Sequence, residues 1–179
     1  MIENVDYRDR EALIREMQRA TDDVARALEA VPEELFTTQP EENVWSPRDI
    51  AEHLIQLDSS TVFILKGKSH PEQGRDPSVA LSNVLDSFGD FEKKFHTFGP
   101  GIPKRELMNR EEPIARFRKT RTLVSRILEK GNLDEVCELF EHGIFGYLTR
   151  LEWGWFIIIH SDRHLNQIQR THKRLVEGS

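Results

Sequence analysis

The stretch from Gly146 to about Arg174 most constrains the fold, because its apolar residues fall on two adjoining helical seams rather than one. Leu148, Leu151, Trp155, Ile158 and Leu165 mark the first seam; Trp153, Ile157, His160, His164 and Ile168 mark the second. At the usual rise such a helix is about 40 Å long. A helix this long with so wide an apolar surface needs two neighbours, which is the requirement a helical bundle meets. Gly154 inside it sacrifices helix propensity, in exchange for close packing or a slight bend.

Further helical periods supply the neighbours. Leu13, Met17, Ala20, Val24, Leu28 and Val31 predict a first helix from about Asp6 to Ala30, ended with the help of Pro32. Ser46, Pro47 and Asp49 form a cap, first-turn proline and capping-box pattern that starts a second helix running to Leu65. Gly67 to Pro77 reads as a loop. Leu81, Leu85, Phe88, Phe91, Phe95 and Phe98 make a third stripe closed by Gly99 to Pro103, and Ile114, Phe117, Arg121, Val124 and Leu128 make a fourth that follows Pro113 and stops near Gly131. Arg121 is expected to snorkel out of its stripe on its long stem, with reach into a cavity as the alternative. Leu133 to Phe140 is expected to be a helical turn. With no sustained strand alternation and no internal repeat, the expectation is an all-α four-helix bundle with an additional crossover helix, forming one domain over residues 1–179.

Composition narrows the function classes. The chain has 179 residues, 37% hydrophobic and 31% charged, with a formal charge of −6 and no separate basic block, so no nucleic-acid footprint is evident. One cysteine, Cys137, excludes an intramolecular disulfide framework, and the acidic start MIENVDYRDRE lacks a signal-peptide pattern, so a cytoplasmic location is expected. Trp153 to Ile159 is too short to span a membrane. No phosphate-cradling or dinucleotide motif is evident.

The candidate site is histidine-based. His160 and His164 lie four residues apart, so their rings share a helix face about 5–6 Å apart at Cβ. His53 shares a stripe with Ile50, Leu57 and Ile64 and should also face inward. Taken alone, His160 reads first as a satisfied core histidine. Three inward histidines shift the balance toward a divalent ion such as zinc or nickel, with water at an open position. Around them, Gln167 is a candidate to orient water or substrate and equally a structural amide. Asp58 could reach the pocket rim, Glu152 is expected in a surface or buried network, and Asp162 is poorly phased for coordination. His70, His96, His142 and His172 belong to no cross-helix set. Cys137 reads as a small buried hydrophobe before a nucleophile, and Trp153 and Trp155 as packing residues.

The segment Trp45-Ser46-Pro47-Arg48-Asp49-Ile50-Ala51-Glu52-His53-Leu54 resembles the second-helix signature of the DinB-like superfamily of metal-dependent four-helix proteins. His142 to Leu148, Leu151-Glu152-Trp153 and His160 to Ile168 resemble that superfamily's final loop and helix. The resemblance implies His53, His160 and His164 as metal ligands and makes a homodimer plausible. It also implies, for some members, thiol-dependent transfer or isomerisation, including bacillithiol transfer and mycothiol-dependent maleylpyruvate isomerisation. The expected function is therefore metal-dependent S-transfer from a low-molecular-weight thiol to an electrophilic small molecule. Metal-dependent hydrolysis, and a noncatalytic metal-stabilised structural or interaction role, are the alternatives.

Overall fold

The structure, a computed structural model, describes residues 5–72, 74–88, 101–106 and 109–178. Five helices dominate it: α1 (Arg10–Glu29), α2 (Pro47–Lys66), α3 (Pro77–Phe88), α4 (Glu111–Lys130) and α5 (Arg150–Glu177). Helix α1 packs on α4 and α5, and α2 also packs on α4 and α5, so these four close a ring around one interior. Helix α3 lies outside the ring against α5, as expected of a crossover helix. The expected stripe residues Phe91, Phe95 and Phe98, with His96, lie outside the described residues.

Local chemistry sets the helix starts. Asp9 caps α1 by accepting from the Glu11 amide at 2.9 Å, which places the start after the expected Asp6. At α2 the expected capping box is complete: Ser46 Oγ accepts from the Asp49 amide at 3.1 Å, and Asp49 returns the bond at 3.2 Å. Helix α5 begins at Arg150 rather than Gly146. Gly146 has φ +68°, in the left-handed region, and the Leu148 carbonyl accepts from the Cys137 amide at 3.0 Å. Thr149 and Glu152 then form a second capping box.

Two expectations are corrected beside α5. Residues expected as a helical turn contain strand β2 (Glu135–Cys137), and the expected loop after α2 contains β1 (Ser69–Pro71). They pair antiparallel, Ser69 opposite Cys137 and Pro71 opposite Glu135. Strands of three residues are too short for alternation to register in sequence.

The interior falls into two apolar clusters. Leu13, Met17, Leu65, Val124, Trp153 and Trp155 belong to one; Val24, Leu28, Ile50, Leu54, Phe117 and Ile168 belong to the other. On every bundle helix, buried polar residues stand between the two: Thr21 on α1, Asp58 and Thr61 on α2, Arg121 on α4, and His160, Ser161 and His164 on α5. Gly154 serves close packing, since a Cβ there would meet Leu13 and Leu128 methyl carbons at 3.0 Å. No helix of the described residues is long and apolar enough to cross a membrane.

Candidate metal centre

Helices α2 and α5 bring His53, His160 and His164 together as expected. Each ring is nearly buried, with 6–7% of its residue exposed. His160 Nε2 lies 3.3 Å from His53 Nε2 and 3.1 Å from His164 Nε2. The potential ligand atoms all fall within 4.8 Å of one another.

The outer nitrogens decide what the inner ones can do. His53 Nδ1 donates to the Gly101 carbonyl at 2.7 Å, and His164 Nδ1 donates to Gln167 Oε1 at 2.8 Å. A neutral ring whose Nδ1 carries the proton has a bare lone pair at Nε2. Both lone pairs therefore face His160 Nε2. A proton on that atom is one donor facing two acceptors, whereas a cation accepts all three lone pairs. His160 Nδ1 is buried without a hydrogen-bond partner among the described residues. Two nitrogens bound at about 2.0–2.1 Å to a tetrahedral zinc stand roughly 3.3–3.4 Å apart, close to the separations here. The three histidines thus fit a divalent ion and could hold one.

Electrostatics points the same way. Burial holds His53 below the ordinary imidazole range, against the bond to Gly101. Burial first, then the neighbouring rings, holds His160 and His164 well below that range. Neutral rings are the form that binds metal.

Aromatic faces wall the centre. Trp45 lies parallel to His164, with ring centroids 6.2 Å apart, and 5.0 Å from the His53 ring. Phe88 and Phe156 each sit 5.7 Å from His160. Beyond them, Phe145 packs on both phenylalanines, and His142 stacks on Phe145 at 4.7 Å. His142 therefore belongs to the aromatic surround and not to the triad.

Sequence reasoning missed the clamp that orients His53. Glu52 Oε2 accepts from the Arg105 amide at 2.6 Å, and Asp49 Oδ1 lies 3.5 Å from Arg105 Nε. Together they hold the segment that presents the Gly101 carbonyl. Arg105 has φ +61°, a costly backbone state for a non-glycine residue. Nothing periodic ties Glu52 to residue 105, so no sequence signal marked the contact.

The other candidates are engaged elsewhere. Arg121 does not snorkel: it is 1% exposed and pairs with Asp58 at 2.6 Å. Asp58 is accordingly absent from the pocket rim, where the sequence had suggested it. Glu152 is fully buried, bonding the Thr149 amide and Arg75, each at 2.7 Å, which is the network role expected. Asp162 pairs with Arg19 at 2.9 Å, and His70 with Glu138 at 2.8 Å. Gln167 accepts from the His164 ring at 2.8 Å. Cys137 is buried, and burial pushes its thiol up to about 11, so it is not poised as a nucleophile.

A closed ring of four helices with three converging histidines defines a helical-bundle protein built around a metal-compatible centre. The family model of the DinB superfamily matches residues 16–168, and the chain belongs to that superfamily. Comparison with curated proteins and with solved structures returned no match.

Proposed function

We propose that the protein is a metal-dependent S-transferase, in which His53, His160 and His164 hold a divalent ion, zinc or nickel, and a low-molecular-weight thiol attacks an electrophilic small molecule. The observation that carries this reading is the convergence of three imidazole nitrogens, with the outer nitrogens of His53 and His164 already engaged by Gly101 and Gln167. An ion held there supplies Lewis acidity, which lowers the pKa of a thiol or a water. The chain's residues supply the setting. Gly101 and Gln167 fix the two ring tautomers, burial keeps the rings neutral, and Trp45, Phe88 and Phe156 limit water and offer apolar faces to an organic reactant.

Thiol transfer is favoured over hydrolysis by the commitments of the nearby carboxylates. Asp58 and Glu152 are tied into ion pairs with Arg121 and Arg75. A thiol made acidic by a metal needs less help from a base than an attacking water does.

The test is a paired screen of small thiols and electrophiles, with zinc, with nickel and after chelation, beside water-only reactions. Product masses distinguish a thioether from a hydrolysis product. Activity should disappear on chelation and in the His53→Ala/His160→Ala/His164→Ala protein while its helical circular dichroism persists. Hydrolysis products in the water-only arm would move the assignment to a hydrolase. A folded, metal-loaded protein inert throughout the screen would move it to a structural or interaction role.

A further inference from the structure

One side chain reaches all the other helices of the ring. From α4, Arg121 donates through Nε to Asp58 Oδ2 on α2 at 2.6 Å, and through Nη1 to Met17 Sδ on α1 at 3.1 Å. Through Nη2 it donates to the Ile157 carbonyl of α5 at 3.3 Å and to Ser161 Oγ. Arg121 and Asp58 are 1% and 0% exposed.

Stability is a poor explanation for this pair. Removing two charges from water largely offsets their attraction, and well-packed apolar replacements of similar volume are often as stable or more so. The pair is also incompletely satisfied, because Asp58 Oδ1 is buried without a hydrogen-bond partner among the described residues. What a guanidinium offers that a methionine or leucine does not is direction, since its donors leave a rigid plane at fixed angles.

Those directions converge on the two helices that build the histidine centre. Asp58 follows His53 by five residues on α2, and Ser161 directly follows His160 on α5. A one-residue slip of α5 moves its atoms by about 1.5 Å along the axis, enough to break the Arg121 bonds and to part the facing Nε2 atoms.

We propose that Arg121 and Asp58 form a positioning pair that registers α2 against α5, so that His53 meets His160 and His164 in a geometry that binds a divalent ion. This rests on the metal reading of the triad.

The experiment replaces the pair in the full chain with Asp58→Leu/Arg121→Met. Ser161 Oγ keeps its bond to the Ile157 carbonyl at 2.7 Å, so the replacement leaves that hydroxyl satisfied. Metal-free Tm is expected to be unchanged or higher, while zinc affinity by competitive titration falls about 10–100-fold. Ring-proton cross-relaxation between His53 and His160 in the metal-free protein should weaken in parallel. Wild-type zinc affinity with intact ring contacts would overturn the proposal, as would a lowered Tm with unchanged affinity of the folded protein. If the double variant does not fold, Arg121→Lys keeps the charge and loses the fork: reduced affinity in a folded protein supports the proposal, and wild-type affinity overturns it. If wild-type protein binds neither zinc nor nickel, the metal reading fails, and the ring contacts in the metal-free variants still decide whether the pair positions the histidines.

Discussion

Two polar clusters interrupt the same apolar interior, and they meet the demands of burial in opposite ways. The Arg121–Asp58 pair sets a cation against an anion at 2.6 Å, so most of its needs are answered inside the chain. The triad sets three neutral bases facing one point, with Nε2 separations of 3.3 and 3.1 Å around His160, and the described chain brings no cation to that point. Buried groups that satisfy one another bear first on how helices are held. Buried acceptors that converge without a donor bear on what comes from outside.

The largest expected effect comes from removing the convergent acceptors. In the triple His→Ala protein zinc binding should fall below detection by titration and elemental analysis, whereas His70→Ala, on an exposed residue paired with Glu138, should bind as wild type. With zinc at about a thousand times its Kd, the wild type gains roughly 4 kcal/mol of stability that the triple variant lacks. Removing one member of the ion pair should behave differently. Asp58→Ala leaves a buried guanidinium without its counter-charge and is expected to cost about 3–5 kcal/mol in urea unfolding without zinc, a loss that zinc does not restore. A loss that zinc fully rescues would erase the distinction between the clusters.

The two clusters were also unequally legible in sequence. The triad could be read because α5 places His160 and His164 on one face and the α2 stripe points His53 inward, both consequences of helical period. The Ser46–Asp49 box was legible for the same reason, being local. Arg121 and Asp58 stand 63 residues apart on different helices, and no period links them, so sequence alone points each to an edge of the core that it does not occupy. The Gly101 and Arg105 contacts to α2 arise from a segment without periodicity, so no sequence pattern marks them. Strands β1 and β2 were missed because each contributes three residues, and their pairing depends on how α2 and α5 end and begin.

A smaller effect separates the clusters by pH. Burial depresses all three triad histidines in the folded, metal-free protein, while unfolded histidines titrate near 6.5. Below that value the unfolded state binds more protons, so the triad's contribution is fully present above about pH 6.5 and is lost as pH falls toward the depressed folded values. Asp58 has the opposite sign. Burial, opposed by Arg121, raises its carboxyl from 3.8 to about 6, so its contribution is present below about 3.8 and lost as pH rises through about 6. Urea unfolding in chelator from pH 8 to 5 should show wild-type stability falling on the acid side. The triple His variant should lose much of that slope, and Asp58→Leu/Arg121→Met should retain it. An acid-side slope that survives unchanged in the triple His variant would take that sensitivity away from the triad.

The smallest effect is expected from the contact that tunes a single ligand. Gln167 is half-buried, and its amide oxygen receives the His164 Nδ1 proton at 2.8 Å, fixing both the tautomer and the ring direction. Gln167→Ala removes that acceptor without opening the core, so unfolding free energy should stay within about 0.5 kcal/mol of wild type. Zinc affinity should nevertheless fall about tenfold, or roughly 1.4 kcal/mol, because the ring is then free to turn or to move its proton to Nε2. Gln167→Glu discriminates between losing a shape and losing an acceptor. A carboxylate of the same length still takes the Nδ1 proton, and its charge makes Nε2 a stronger base, so affinity should return to at least the wild-type level in a competitive zinc titration. If the alanine and glutamate proteins both bind as wild type, the outer hydrogen bond does not govern the site, and the convergence of Nε2 atoms owes its geometry to the helices alone.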